Sequence, residues 1–394
     1  MMTSMKRYFS GLSRSTFLLA CASLFADIST EMLYPVLPIF LTQELGADAS
    51  LVGVIEGVAP AVQNLAQGVS GWASDRFRRR KPLALIGFGV AAFAKPLIGL
   101  STSWVGVLGA RSLDRLGAGT RSAPRDALVA ESVDDADRGK AFGLEGAGDN
   151  LGACLGPLLA IALLTWFHMA VRRIFLLAFV PGVLAGLMVV LVHENRASFA
   201  SKTSLSLHVE RLPKNYWKTL LATALFGIGN SSNSFLILRT KALGASLTTT
   251  ILIYAAFNFV AALTSYPAGH LSDKLGRKGL LLLSFVVFLL VYGGFALTSS
   301  VSMIGVLFAL YGIHQGAFRS VGKALATDFV PEHLRATAVG WYTATIGVTG
   351  LVASVVGGQL WTRLSPSATF AFGAACALLG SIAVVVLVPQ RRTV

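Results

Sequence analysis

Apolar runs of about 20 residues recur along this chain between short charged gaps. They fall near 15–41, 50–73, 82–101, 104–122, 140–164 and 174–192, and again near 217–238, 246–270, 279–298, 301–322, 336–360 and 366–388. Runs of this length match the hydrocarbon thickness of a bilayer, where the backbone must satisfy its own hydrogen bonds. The pattern predicts an all-α polytopic membrane protein with twelve transmembrane helices. Composition agrees, with 54% hydrophobic and 13% charged residues among 394. Twelve spans leave about 12 residues for each connection. That disfavours a membrane-anchored soluble enzyme, a receptor with a folded ectodomain, or an ATPase, and no GxxxxGK[ST] loop occurs. The N-terminus is basic, but the apolar stretch after it is too long, carries acids and lacks a small-residue cleavage site. It reads as a retained first span.

The formal net charge of +14 comes from basic residues in the gaps between spans. With the N-terminus inside, only Arg172, Arg173, Arg239, Lys241 and Arg363 fall on the opposite side, so the positive-inside rule places both termini in the cytoplasm. Nucleic acid is not needed to explain the charge. Cys21, Cys154 and Cys376 lie within apolar stretches, as small hydrophobes rather than a disulfide or metal set. The polar stretch between the halves predicts an N-terminal six-helix bundle at 1–192, a cytoplasmic linker at 193–216 and a C-terminal six-helix bundle at 217–394.

The halves repeat. GWASDRFRRRK after the second span returns as GHLSDKLGRKG after the eighth, with Asp75 and Asp273 198 residues apart. Arg121 and Ser122 match Arg319 and Ser320 at the same spacing, whereas Arg138 and Gly143 match Arg335 and Gly340 at 197. Two parallel six-span repeats suit a rocking transporter. The two loops resemble the major facilitator superfamily signature GxxxD[RK]xG[RK][RK]. Gly269, Asp273, Lys274, Gly276, Arg277 and Lys278 match fully. Gly71, Asp75, Arg76, Arg79 and Arg80 match with Arg78 in place of the glycine. The resemblance implies twelve helices around a central cavity lined by spans 1, 4, 7 and 10. It also implies a cytoplasmic gate in which Asp75 meets the start of span 11 near 331–336, and Asp273 the start of span 5 near 135–139, through helix N-terminal charge. In span 5, Gly143, Gly152, Gly156 and Pro157 resemble the antiporter motif of proton-linked exporters, although Ala160 and Ile161 replace its final glycines.

Ionisable residues inside spans are costly and mark working sites. Asp27 and Glu31 lie one turn apart in span 1, with Tyr34 extending their face. Arg111, Asp114 and Arg115 cluster in span 4, Lys95 lies in span 3, and Glu145 and Asp149 lie one turn apart in span 5, within reach of Arg121 or Arg125. Span 7 carries the neutral run Asn230, Ser231, Ser232, Asn233 and Ser234, and span 10 carries His314, Gln315 and Arg319. Charges in the first half suit proton coupling, with Asp27 and Glu31 as first choice, and the neutral groups suit substrate recognition. A static salt-bridge lattice is the competing reading of the charges, hydrogen-bonded packing that of His314, and Glu56 stands isolated. The expected function is secondary active transport by alternating access, as proton-coupled export of a small organic compound by a monomer in a bacterial inner membrane. Symport of an anionic metabolite, export of a divalent metal cation and a non-transporting sensor are the alternatives. No enzyme motif, cofactor or metal site is expected, since HExxH and GxSxG are absent and the histidines are scattered.

Overall fold

The computed structural model of the protein describes residues 11–77, 79–134, 138–193, 212–331 and 335–389, and their regular structure is helical, with no strand. The helices are α1 (Arg14–Glu31), α2 (Ala49–Phe77), α3 (Arg80–Leu100), α4 (Trp104–Glu131), α5 (Arg138–Thr165), α6 (Val171–Leu177), α7 (Phe179–Val190), α8 (Lys214–Gly227), α9 (Asn233–Ala242), α10 (Leu247–Leu275), α11 (Arg277–Leu297), α12 (Val301–Asp328), α13 (Arg335–Arg363) and α14 (Pro366–Leu387).

Local chemistry sets several ends. Ser13, Ser103 and Ser365 each accept a backbone N–H at the start of α1, α4 and α14. Asp48 accepts from the Ser50 hydroxyl at 2.5 Å and the Leu51 N–H at 3.0 Å ahead of α2, which holds its carboxyl below the usual carboxylate range. The first expected span is not one helix. It stops at Glu31, and past Pro35 it resumes as one α-turn at Leu37–Ile39, with Pro38 inside it, and a π-turn at Phe40–Glu44. Tyr34 falls in the break after that helix. Span 7 is likewise two helices, because the backbone leaves the helix after Gly227 and Ser232 caps α9 through the Ser234 N–H.

Nine helical stretches among the described residues are long and apolar enough to cross a membrane. The expected spans outside this set are 1, 4 and 7. Charge interrupts α1 and α4, and a break divides α8 from α9. These are three of the four spans expected to line the cavity.

Two compact units make up the chain, Met1–Leu33 with Val62–Leu207 and Tyr34–Ala61 with His208–Val394. Residues 34–61 thus pack with the second half of the sequence. In the first unit α1 packs on α5 and α7, and α3 on α4 and α7. In the second, α10 packs on α12, α8 on α14, and α11 on α12 and α14. The first core is built of small residues such as Ala22, Ala26, Ala84, Ala141 and Ala185 around Leu19 and Phe88. The second contains a cluster of contacting rings running from Phe226 and Phe285 through Phe288, Tyr292 and Tyr311 to Phe318. The outer faces expose Leu65, Val69, Leu290, Leu297 and Val386, as helices bathed in lipid do.

Equivalent contacts fix the register of the repeat. Arg80 pairs with Glu131 at 2.6 Å and Arg277 with Asp328 at 2.6 Å. The Lys81 ammonium donates to the Val190 and Val192 carbonyls, and that of Lys278 to Val385 and Val388. Arg80 and Arg277, Lys81 and Lys278, and Glu131 and Asp328 are each 197 residues apart, so the signature loop of the first half has one extra residue. Gly276 alone joins α10 to α11 at φ +89°, a conformation suited to glycine, whereas two residues join α2 to α3 and Arg79 is extended. The extra residue explains why the first copy can lack the glycine. Register 197 also corrects the pairing of Arg121 with Arg319, since Arg121 lies over the Phe88 ring at 4.5 Å where Phe318 lies beside Phe285.

The lysines and arginines at helix ends have a structural role beyond topology. Arg172 donates to the Gly99 and Ser101 carbonyls at the end of α3, and Arg239 to Thr298 at the end of α11. These are two of the five basic residues expected on the sparsely charged side, held there by orphan carbonyls. Lys278→Gln is expected to lower stability by about 0.5–1 kcal/mol, through loss of two charge-assisted bonds at a partly exposed helix end. A matched fall in Tm for Lys81→Gln, measured on purified protein, checks the equivalence.

Candidate functional site

The first unit gathers its buried charges around two carboxylates. Asp114, 1% exposed, receives the Lys95 ammonium at 3.1 Å on Oδ1, with Arg111 at 3.0 Å and Arg115 at 2.8 Å on Oδ2. The spacings of three and one along α4 bring the arginines to this carboxylate, and α3 brings Lys95 from the facing helix. Arg115 also donates to Gln63 Oε1 of α2 at 3.3 Å. Farther along α4, Arg125 contacts Glu145 at 2.9 Å, Asp126 at 2.9 Å and Asp149 at 3.7 Å. The Ser23 hydroxyl donates to Glu145 at 2.6 Å and accepts from Arg125 at 3.0 Å, closing a triangle between α1, α4 and α5.

Asp27 is placed differently. A Cβ added to Gly152 would lie 2.6 Å from the Leu24 carbonyl and 2.7 Å from the Asp27 Cβ. One on Gly156 would lie 2.9 Å from the Glu31 Cβ, and one on Gly148 2.5 Å from the Ala20 carbonyl. The glycines of α5 therefore bring its backbone against α1 along the face that carries Asp27 and Glu31. Among the described residues, Asp27 makes no hydrogen bond or ion pair. The charges acting on it are Asp149, Glu31, Arg121 and Arg125.

The second unit answers with neutral groups at matched positions. Lys95 and Asp114 correspond at 197 to Tyr292 and Tyr311, whose rings lie 6.2 Å apart. Tyr311 donates to Asn233 Oδ1 at 2.9 Å, and the Tyr292 hydroxyl lies 3.3 Å from that of Ser231. Arg125 and Glu145 correspond to Gly322 and Tyr342, and the Tyr342 hydroxyl occupies the space a side chain at 322 would need. Glu56, isolated in the sequence, is buried at 4% exposure and accepts from Ser232 at 3.4 Å. The Tyr34 hydroxyl lies 3.3 Å from the same Ser232 oxygen, and its ring stacks on Tyr254.

The family model of the Major Facilitator Superfamily matches this chain twice, over residues 19–229 and 219–394. The chain belongs to the major facilitator superfamily. It is 34% identical to an uncharacterised MFS-type transporter of Methanocaldococcus jannaschii, over 94% of each chain. A probable 4-methylmuconolactone transporter of Cupriavidus pinatubonensis is 30% identical over 95% of this chain and 90% of its own. A multidrug resistance efflux pump homologue of Lactococcus lactis is 27% identical over 91% and 92%. Among solved structures, a nucleoside transporter superposes with a TM-score of 0.82 at 14% identity, covering 95% of this chain and 100% of its own. The protein is thus an integral membrane transporter with the major facilitator fold, and not an enzyme.

In this major facilitator chain the structure brings Arg111, Asp114, Arg115 and Lys95 into one cluster and Glu145 and Asp149 into another. Asp27 makes no hydrogen bond or ion pair with either among the described residues. Ser231 and Asn233 meet the tyrosines, whereas Ser234 Oγ is buried without a partner among the described residues. Asn230 and Gln315 are half-buried. His314 is enclosed by Phe226, Phe288, Tyr311 and Phe318, with Nδ1 bonded to Ser284. Of the gate residues, Gly71 packs on Ala123, Arg79 is exposed, and Arg80, Arg277 and Lys278 hold helix ends. The side chains of Asp75, Arg76, Asp273, Lys274 and Arg319, the surroundings of Gly269 and Gly143, and the helix starts expected to meet the gate aspartates lie outside the described residues, as does most of the linker. Glu131, Asp328 and Gln63 were missed by sequence reasoning. The 197-residue spacing of the two acids was the available signal.

Proposed function

We propose that the protein is a proton-coupled exporter of a small organic compound, exchanging it for protons by alternating access as a monomer. It would sit in a bacterial inner membrane with both termini cytoplasmic and six-helix halves at 1–192 and 217–394. The observation that carries this reading is Asp27. It is a half-buried carboxylate on a membrane helix, in the field of both acids and arginines, that makes no hydrogen bond or ion pair among the described residues. Asp114 and Glu145 are tied by arginines and do not share that freedom. A carboxylate that serves as a proton carrier must be tolerated in both forms, and neighbouring like and unlike charges tune that balance. The α1–α5 glycine contact, which resembles an exporter motif, and the efflux pump relative support the outward direction.

Uptake of an anionic metabolite is the second reading, supported by three cations converging on Asp114. Internal pH of proteoliposomes separates the two. With a preset proton gradient and a panel of drugs, organic acids and sugars added in turn, antiport and symport move pH in opposite senses. Asp27→Asn is expected to reduce substrate-driven proton movement by at least about 100-fold while leaving substrate counterflow. Full proton-driven transport by this variant would rule out Asp27 as the carrier.

A further inference from the structure

The repeat supplies an internal control for a feature that proton coupling does not use. In the first unit the α3–α4 crossing is glycine against glycine. A Cβ on Gly87 would lie 2.7 Å from the Gly117 carbonyl, and one on Gly117 would lie 2.7 Å from that of Gly87. At register 197 these positions are Ser284 and His314 in the α11–α12 crossing. Two side chains thus stand in the second crossing where the first has two glycines. Beside it lies a cleft of about 220 Å³ between α10, α11 and α12, lined by Thr264, Pro267, Leu283, Val287, Ile313 and His314. Leu283 and Ile313 at its rim are 54% and 41% exposed, so it opens on the outer, apolar face of the helices.

The floor of this apolar cleft carries one unsatisfied polar group. His314 is 0% exposed, and its Nε2 has no hydrogen-bond partner among the described residues. Its tautomer follows from its neighbours. Nδ1 lies 2.8 Å from the Ser284 carbonyl oxygen, which can only accept, so Nδ1 carries the proton. In the neutral ring Nε2 is then a bare acceptor. Enclosure by phenyl and phenol rings, with no charged side chain among its ring contacts with the described residues, suits the neutral form. A buried acceptor without a donor is costly, and a fold that needed only to close this crossing has the glycine solution in its other half.

We propose that the α10–α11–α12 cleft is a binding site, separate from the charged cluster of the first unit, for an amphipathic small molecule that enters from the lipid. The ligand has an apolar body that fills the cleft and a hydroxyl or N–H that donates to His314 Nε2. This assignment stands whether or not transport is coupled to protons, because it uses none of the charged groups of the first unit.

The test uses the full chain in detergent with a diazirine-bearing octanol as probe, crosslinks being mapped by mass spectrometry. Labelling is expected on the α11 and α12 segments around Leu283, Val287 and Ile313, and 1-octanol should compete at least about fivefold better than its methyl ether, which lacks the donor. His314→Leu should abolish that preference while leaving the ether unaffected. Leu283→Trp, which obstructs the rim without touching the histidine, should remove the labelling. Labelling spread evenly over all exposed helices, equal competition by alcohol and ether, or an undiminished preference in His314→Leu would each overturn the proposal. If His314→Leu does not purify as a monodisperse protein, the ether comparison on the unmodified chain and the loss of labelling in Leu283→Trp decide.

Discussion

Asp114→Leu is expected to destabilise the protein by about 3–5 kcal/mol, the largest stability effect of any single substitution considered. The change leaves Lys95, Arg111 and Arg115 gathered where their shared carboxylate was, and removing one member of a buried ionic set costs far more than the set contributes. Lys95 and Arg111 have side chains only 3% and 2% exposed, so water does not screen the loss. The second unit provides the control. Tyr311 stands at the matched position, and Tyr311→Phe, which removes one hydrogen bond to Asn233, should cost only about 1 kcal/mol. Adding Lys95→Met to Asp114→Leu should restore part of the loss, since one stranded charge disappears. Denaturation in mixed micelles measures all four proteins. A single variant as stable as the parent would mean that the cluster is solvated and not a buried network.

Gly152→Ala should have the second largest effect, because it strikes packing and the proposed proton site together. The added methyl would stand 2.6 Å from the Leu24 carbonyl and 2.7 Å from the Asp27 Cβ, and the first of these is backbone that cannot rotate away. The α1 and α5 helices must separate, at a cost of about 1–3 kcal/mol. The same separation moves Asp27 relative to Asp149, so substrate-driven proton flux should fall about 10-fold or more even in protein that remains folded. Gly146→Ala, on the same helix with open space at its Cβ, is the matched control and should be near neutral. Equal behaviour of the two variants would show that the glycine face does not set the helix contact.

Much of the fold was legible because a bilayer leaves few choices. Apolar runs of the right length, the basic gaps and the doubled loop signature led to the helical fold and the family. The broken spans were harder to read. Pro35, Pro38 and the Gly229–Asn230 pair were visible, yet hydropathy averages over such interruptions, so spans 1 and 7 read as continuous. The change of spacing from 198 to 197 was visible in the sequence, but its place was not, because matching basic residues of the signature loop align at either register. The pairs Arg80 with Glu131 and Arg277 with Asp328 place it in that loop. Glu56 looked isolated because its partner, Ser232, is 176 residues away.

The sequence by itself determined that the chain must live in a membrane, that it is built twice, and which half holds the charge. Those properties depend on counts and periods along the chain, which hydrophobic transfer and charge topology read directly. Tertiary structure alone decided which charges neutralise one another. Spacing placed Arg111, Asp114 and Arg115 together, but Lys95 and Gln63 joined them only through helix packing, which left Asp27 without a hydrogen bond or ion pair among the described residues. Rotation of a helix about its axis by one residue turns a paired carboxylate into a solitary one, and no local pattern encodes that rotation. The Gly87–Gly117 contact and its replacement by Ser284 and His314 make the same point: the residues are plain in the sequence, but the cleft they open is a property of two helices at once.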